Sequence, residues 1–239
     1  MRYICAVALL SGLVFSGQAA GEKKEKKEPN KAAPGAEGKM TDSARAVLDH
    51  EAAHAMIDYG RRTKSPLALL AAAQVFVRSE ARDLKAKSTV ENTRKGEPTR
   101  KTVAKVDNSP KGLIAEVRKM TKVKSVLALA KALEEEIAEG SRGRVPGPGF
   151  DNSYVSGGYV RTYTGQTFRG GEIAIVTVMG NGGANLELEV YDDLGFLVAA
   201  DRAPGRGYRV SWTPRFTGTF TIKVKNNGFV NNYYTLTTN

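Results

Sequence analysis

The chain has 239 residues, a net charge of +11, and one cysteine, Cys5. A chain so composed can form no internal disulfide, and beyond residue 5 it has no thiol nucleophile or thiolate zinc ligand. Twelve basic and four acidic residues fall within 85–124, yet no aromatic side chain lies between Phe76 and Phe150 to stack on bases. The basic run reads as a solvated face, and no nucleic-acid partner is expected.

In chain order, Arg2, the apolar run Ile4 to Phe15 and the small residues Gly17 to Gly21 have the layout of a secretory signal peptide over 1–21. The run is short for a membrane span, so no transmembrane segment is expected after cleavage, and the location is secreted or periplasmic. Residues 22–40 hold little apolar bulk and read as a disordered charged tether. Thr41-Asp42-Ser43 caps a helix running to about Arg62, its apolar stripe Ala44, Leu48, Ala52, Ala55, Met56 and Tyr59. Ser65-Pro66 opens a second helix, apolar nearly all round from Leu67 to Val77 and continuing as a charged tail towards Lys87.

Residues 88–109, with Gly96, Pro98 and Pro110 as breakers, read as a mobile basic loop. Pro110 starts a third helix that buries Leu113, Ile114, Val117 and Met120. A fourth runs from Ser125 with Val126, Leu129, Leu133 and Ile137 on one face. Its acidic end, Glu134 to Glu139, either frays or meets the basic loop. Lys64, Ser65, Leu67, Ala68, Leu69 and Ala72 recur 60 residues later as Lys124, Ser125, Leu127, Ala128, Leu129 and Ala132. Two helical hairpins of this kind make residues 41–140 a small antiparallel bundle. Residues 141–149 are a Gly/Pro linker.

From 150 to 239 the period changes to two. Leu186, Leu188 and Val190 alternate with polar residues, as do Tyr208, Val210 and Trp212, then Phe220, Ile222 and Val224, then Tyr234 and Leu236. Short alternating strands with frequent turns predict an antiparallel β-sandwich, so the fold class is multidomain α plus all-β. Tyr191-Asp192-x-x-Gly195-x-Leu197-Val198-Ala199-x-Asp201, Thr213-Pro214-x-x-Thr217-Gly218-x-Phe220, Lys225-Asn226-x-Gly228 and Asn232-x-Tyr234-x-Leu236 together resemble the bacterial pre-peptidase C-terminal domain. That resemblance implies a β-sandwich appended to secreted bacterial proteins, peptidases among them.

His50-Glu51-Ala52-Ala53-His54 fits the zinc-peptidase pattern H-E-x-x-H and contains both histidines of the chain. Two imidazoles one turn apart can hold zinc, with Glu51 as general base and Glu80 as third ligand. Against this, a helical wheel turns both histidines away from the expected apolar stripe and towards solvent, where no walled cleft forms. Asp192, Asp193 and Asp201 flank one hairpin and either collect calcium or shape turns. Tyr154, Tyr159, Tyr163 and Tyr233 are candidates for stacking on sugars or meeting a protein, or else pack a core edge. The expectation is an exported, non-catalytic binding or accessory protein, its sandwich engaging an extracellular or envelope protein or polysaccharide and favouring no cofactor. The alternative is a secreted zinc metallopeptidase, with zinc or calcium as alternative cofactors.

Overall fold

A computed structural model describes residues 28–79, 81–93, 106–139, 147–181 and 185–239. The leader expected at 1–21 lies outside them, as do residues 22–27 of the tether, 94–105 of the basic loop, residue 140 and 141–146 of the linker. Four helices, α1 (Asp42–Thr63), α2 (Pro66–Arg78), α3 (Pro110–Met120) and α4 (Lys124–Glu139), occupy the N-terminal half. Two short strands, β1 (Arg82–Asp83) and β2 (Lys87–Asn92), separate the helix pairs. Eight more follow: β3 (Gly149–Val155), β4 (Tyr159–Phe168), β5 (Ala174–Gly180), β6 (Leu186–Asp192), β7 (Leu197–Asp201), β8 (Gly207–Trp212), β9 (Gly218–Asn226) and β10 (Asn232–Thr238). No helix among the described residues is long and apolar enough to cross a membrane.

The strands form two five-stranded sheets, in the orders β1-β3-β10-β5-β8 and β2-β4-β9-β6-β7. Every pairing is antiparallel except that of β1 with β3. The period-two residues of both sheets meet in one apolar cluster, with Leu188, Val190, Ile222 and Val224 from one sheet and Val176, Val178, Tyr208 and Leu236 from the other. Within it Phe168, Trp212 and Phe220 stack with ring centroids 4.8 to 5.6 Å apart, a geometry that adds to the burial of their area. The Tyr163 hydroxyl crosses between the sheets to Asp151 at 2.6 Å and Tyr234 at 2.7 Å.

Alternation alone predicts a solvated Glu189, but its side chain is buried. Lys225 at 2.6 Å, the Arg202 guanidinium and the Tyr191 hydroxyl at 2.6 Å cover and satisfy it. Burial alone would raise this carboxyl; those three hydrogen bonds outweigh it and hold the group down to about 2.

The helices begin where local chemistry directs. Thr41 and Ser109 side chains accept the Ala44 and Gly112 amides at 3.1 Å, and Ser65 accepts that of Ala68, with Pro66 and Pro110 in the first turns. α2 packs against α1, α3 and α4. Gly60 is buried where α1 meets α2; a Cβ there would lie 2.8 Å from Leu69 Cδ2, so any larger residue would require the buried Leu69 side chain to shift. The acidic end of α4 meets neighbouring helices, with Glu134 on Arg118 and Glu136 on Arg78.

Several boundaries differ from the sequence expectation. The face of α1 is rotated: Ala44, Val47, Ala53 and Ile57 are buried, while Met56 and Tyr59 are exposed. The helix is rich in alanine all round, and what it packs against decides its orientation. On α4, Ala130 is buried and Leu129 exposed, whereas Leu69, its counterpart in the repeat, is buried. α2 stops at Arg78, because Leu84 is drawn against the core of the sheets and donates its amide to the Phe150 carbonyl at 2.6 Å. Residues 87–92 of the expected loop region are an edge strand along β4.

Residues 28–40 of the expected tether lie on the sheets. The Lys31 ammonium donates to the Val198 carbonyl at 2.8 Å, and the Lys39 backbone donates to the Gly171 carbonyl at 2.8 Å and accepts the Ile173 amide at 2.9 Å. Asn30 is 2% exposed. Its amide N–H donates to Asp192 at 2.9 Å, and its side-chain oxygen accepts the backbone N–H groups of Arg215 and Phe216 at 2.9 and 3.2 Å. Asn30→Ala would strip two partly buried donors of their acceptor. It is expected to cost about 1–3 kcal/mol in urea unfolding; a change under about 0.5 kcal/mol, the range of surface sites, would mean that the segment is not held.

Candidate functional site

α1 lies on the outer face of the first sheet, where Ala44 and Val47 pack on Ile175 of β5. This docking turns the next two turns of the helix inward. His50 and His54 are 4% and 7% exposed, so the expectation that they point at solvent is overturned. They lie against α2, both rings edge-on to Phe76 with centroids 4.9 and 5.3 Å away. His50 Nε2 shares a hydrogen bond with Ser79 Oγ at 2.5 Å. His54 has no hydrogen-bond partner among the described residues.

Burial disfavours imidazolium, lowering both histidines from 6.5 to about 4; for His54 the nearby His50 and Arg61 add to the effect. Both rings are therefore neutral at pH 7.

Glu51, between them in sequence, points elsewhere. Its carboxylate accepts the Arg209 guanidinium of β8 at 3.0 Å, tying α1 to the first sheet. The side chain in contact with both imidazoles is a phenyl ring, which offers no metal ligand. Glu80, the expected third ligand, lies outside the described residues. Among the described residues no group of three His, Cys, Asp or Glu side chains is placed to hold a metal.

The candidate calcium carboxylates are engaged in turn chemistry. Asp192 accepts the amides of Asn30, Leu194 and Phe196 at 2.8 to 3.1 Å. Asp201 accepts those of Ala203 and Arg209 at 3.1 and 3.0 Å. Asp193 is exposed on the turn that follows β6.

The four tyrosines divide. Tyr163 is in the core, where burial and its partners Tyr234 and Asp151 push its hydroxyl far above the usual range. Tyr159 packs partly against the same cluster. Tyr154 and Tyr233 sit side by side on the outer face of β3 and β10, centroids 5.8 Å apart, with the Arg161 guanidinium 5.8 Å from the Tyr154 ring.

Those two rings flank a trough that the sequence does not disclose. It runs between the first sheet, α1 and the turn Val106 to Pro110 that leads into α3. An inner hollow of about 250 Å³ is lined by His50, His54, Phe76, Pro110 and Phe150. An outer hollow of about 630 Å³ is lined by Tyr154, Tyr233, Ser153 and Asp107. Asn108, Ser109, Asn152 and Thr235 line both, so the two are continuous. A side branch reaches past His54 to Arg61, Arg62 and Arg206. Asn108 is oriented by Arg61, which donates to its oxygen at 2.9 Å and is itself anchored on Glu116 at 2.8 Å. Asn152 and Thr235 are joined across the strands at 2.6 Å.

The chain matches no family model and no curated protein.

The histidines set an acid limit on stability. Their folded-state values lie below 6.5, so the unfolded chain takes up protons first as the pH drops. Stability is complete above about pH 6.5 and falls as the pH approaches about 4, by up to ~1.4 kcal/mol per pH unit for each histidine. Glu189 contributes its own loss lower, below about pH 4.5. His54→Leu should flatten the dependence of the melting temperature between pH 6.5 and 4.5, and an unchanged slope would mean that His54 titrates normally.

Proposed function

We propose that the chain is an exported, non-catalytic binding protein, an antiparallel β-sandwich carrying a helical cap. The observation that carries this reading is the placement of Glu51. A zinc peptidase needs that carboxylate beside a metal-bound water held by the two imidazoles. Here it is committed to Arg209 on the far side of the helix interface, and His50 is committed to Ser79. H-E-x-x-H is thus used as packing and docking chemistry.

The β-sandwich reading is supported by the shared apolar cluster of the two sheets and by the likeness of 191–236 to pre-peptidase C-terminal domains. Export is supported by Arg2, the run Ile4 to Phe15 and the small residues after it. The trough beside α1 supports binding, since a walled concavity with a few oriented polar groups is the usual form of a ligand site.

Untagged protein should melt at the same temperature with and without a metal chelator, and should leave unfolded casein intact. Glu51→Gln should change stability by less than about 1 kcal/mol, because its partner pair is partly solvated. Stoichiometric zinc, together with casein cleavage lost in Glu51→Gln, would overturn the reading.

A further inference from the structure

We infer that the trough binds a neutral oligosaccharide, with one terminal sugar in the inner hollow and the following units running out over Tyr233 and Tyr154. The inference rests on reading the chain as a non-catalytic binding protein and names the ligand of that site.

Three observations converge on this chemistry. The first is the character of the walls. Among the described residues no Lys or Arg lines the inner or outer hollow, and Asp107 at the outer one is the single carboxylate; Asn108, Ser109, Asn152 and Thr235 present uncharged donors and acceptors. Sugar hydroxyls donate and accept with equal ease, so they satisfy amides and hydroxyls without a charge to desolvate. The second is the aromatic surface. Tyr154 is 49% exposed, with the Arg161 guanidinium over its ring, and Tyr233 beside it is half-exposed; exposed tyrosine ring surface suits the apolar C–H faces of pyranose rings. The inner hollow repeats the theme with Phe76 and Phe150. The third is His54, 7% exposed and lining the inner hollow with no hydrogen-bond partner among the described residues. Its ring nitrogens are not among the fully buried unpaired atoms, so what they meet is the space of the hollow. A hydroxyl that donates to one ring nitrogen, or accepts from the other, supplies what it lacks.

The inner hollow, about 250 Å³, has room for one sugar ring, and a chain end seated there should bind better than a blocked one. The test uses the full chain in calorimetric titrations with hexasaccharides of glucose, mannose and N-acetylglucosamine, and with a hexauronide and an unfolded casein peptide. One neutral hexasaccharide should bind in the micromolar to low millimolar range, and the hexauronide at least tenfold more weakly. Tyr233→Ala should weaken it at least fivefold, and His54→Leu should reduce the gain that a free chain end gives over an internally matched, end-blocked oligomer. Both variants are checked for an unchanged circular dichroism spectrum, and Phe216→Ala, at an exposed ring outside the trough, should bind like the parent. Absence of binding to all neutral oligomers, indifference to Tyr233→Ala, or preference for the peptide would overturn the inference. None of these outcomes touches the zinc and casein measurements, so the wider reading stands or falls separately.

Discussion

The double burial of β5 is the constraint on which the rest of the molecule depends. Ala174, Ile175, Val176, Thr177 and Val178 are all buried, so the strand faces the shared core on one side and a second apolar layer on the other. A sheet face of that kind cannot be left to water, and α1 covers it with Ala44 and Val47. Once those two residues are committed to Ile175, the 3.6-residue repeat dictates the other positions on the helix. Ala53 and Ile57 go to the helical core, Glu51 goes towards β8, and the histidines are closed in against Phe76.

The same docking sets how the side chains of a motif with the letters of a metal site are arranged. H-E-x-x-H specifies residue types one turn apart on a helix, but a catalytic centre also needs a third ligand and an open cleft on that side. Here the side facing both imidazoles is filled by a phenyl ring, and the carboxylate is drawn off by a guanidinium. What remains open is the flank where Asn108, Asn152 and Thr235 meet, three residues from distant parts of the chain that become neighbours only because α3 and the β3–β10 pair flank α1.

Sheet edges show a second economy. Exposed edges invite pairing with other chains. β1 caps the β3 edge and β2 the β4 edge, both from the segment between the helix pairs, and residues 28–40 lie along the sheets on the way to α1. Helical and β regions are therefore knitted together by borrowed segments rather than joined by a single linker. β2 itself is exposed along its length and carries Lys87 and Glu91, which suits an outer strand.

Much of this was legible in the sequence wherever the cause is local. The caps Thr41, Ser65 with Pro66, and Ser109 with Pro110 announce helices, because a side-chain oxygen satisfies an amide three residues on whatever surrounds it. The alternation in β6, β8, β9 and β10 announces half-buried strands for the same reason, since a pleat separates successive side chains without outside help. The orientation of α1 was not legible. Its alanines are spread round the helix, so no local preference distinguishes the stripe through Ala52 and Met56 from that through Val47 and Ile57. Neither was the burial of Glu189, which depends on Lys225 and Arg202 arriving from other strands. The sequence by itself determined where helices and strands begin and how each strand faces, because those depend on neighbours a few residues away. Only the tertiary structure decided which face of α1 is inside, that Glu51 and the histidines part company, and that a trough opens beside them, because each depends on surfaces brought together from separate elements, such as Glu51 with Arg209 and Val47 with Ile175.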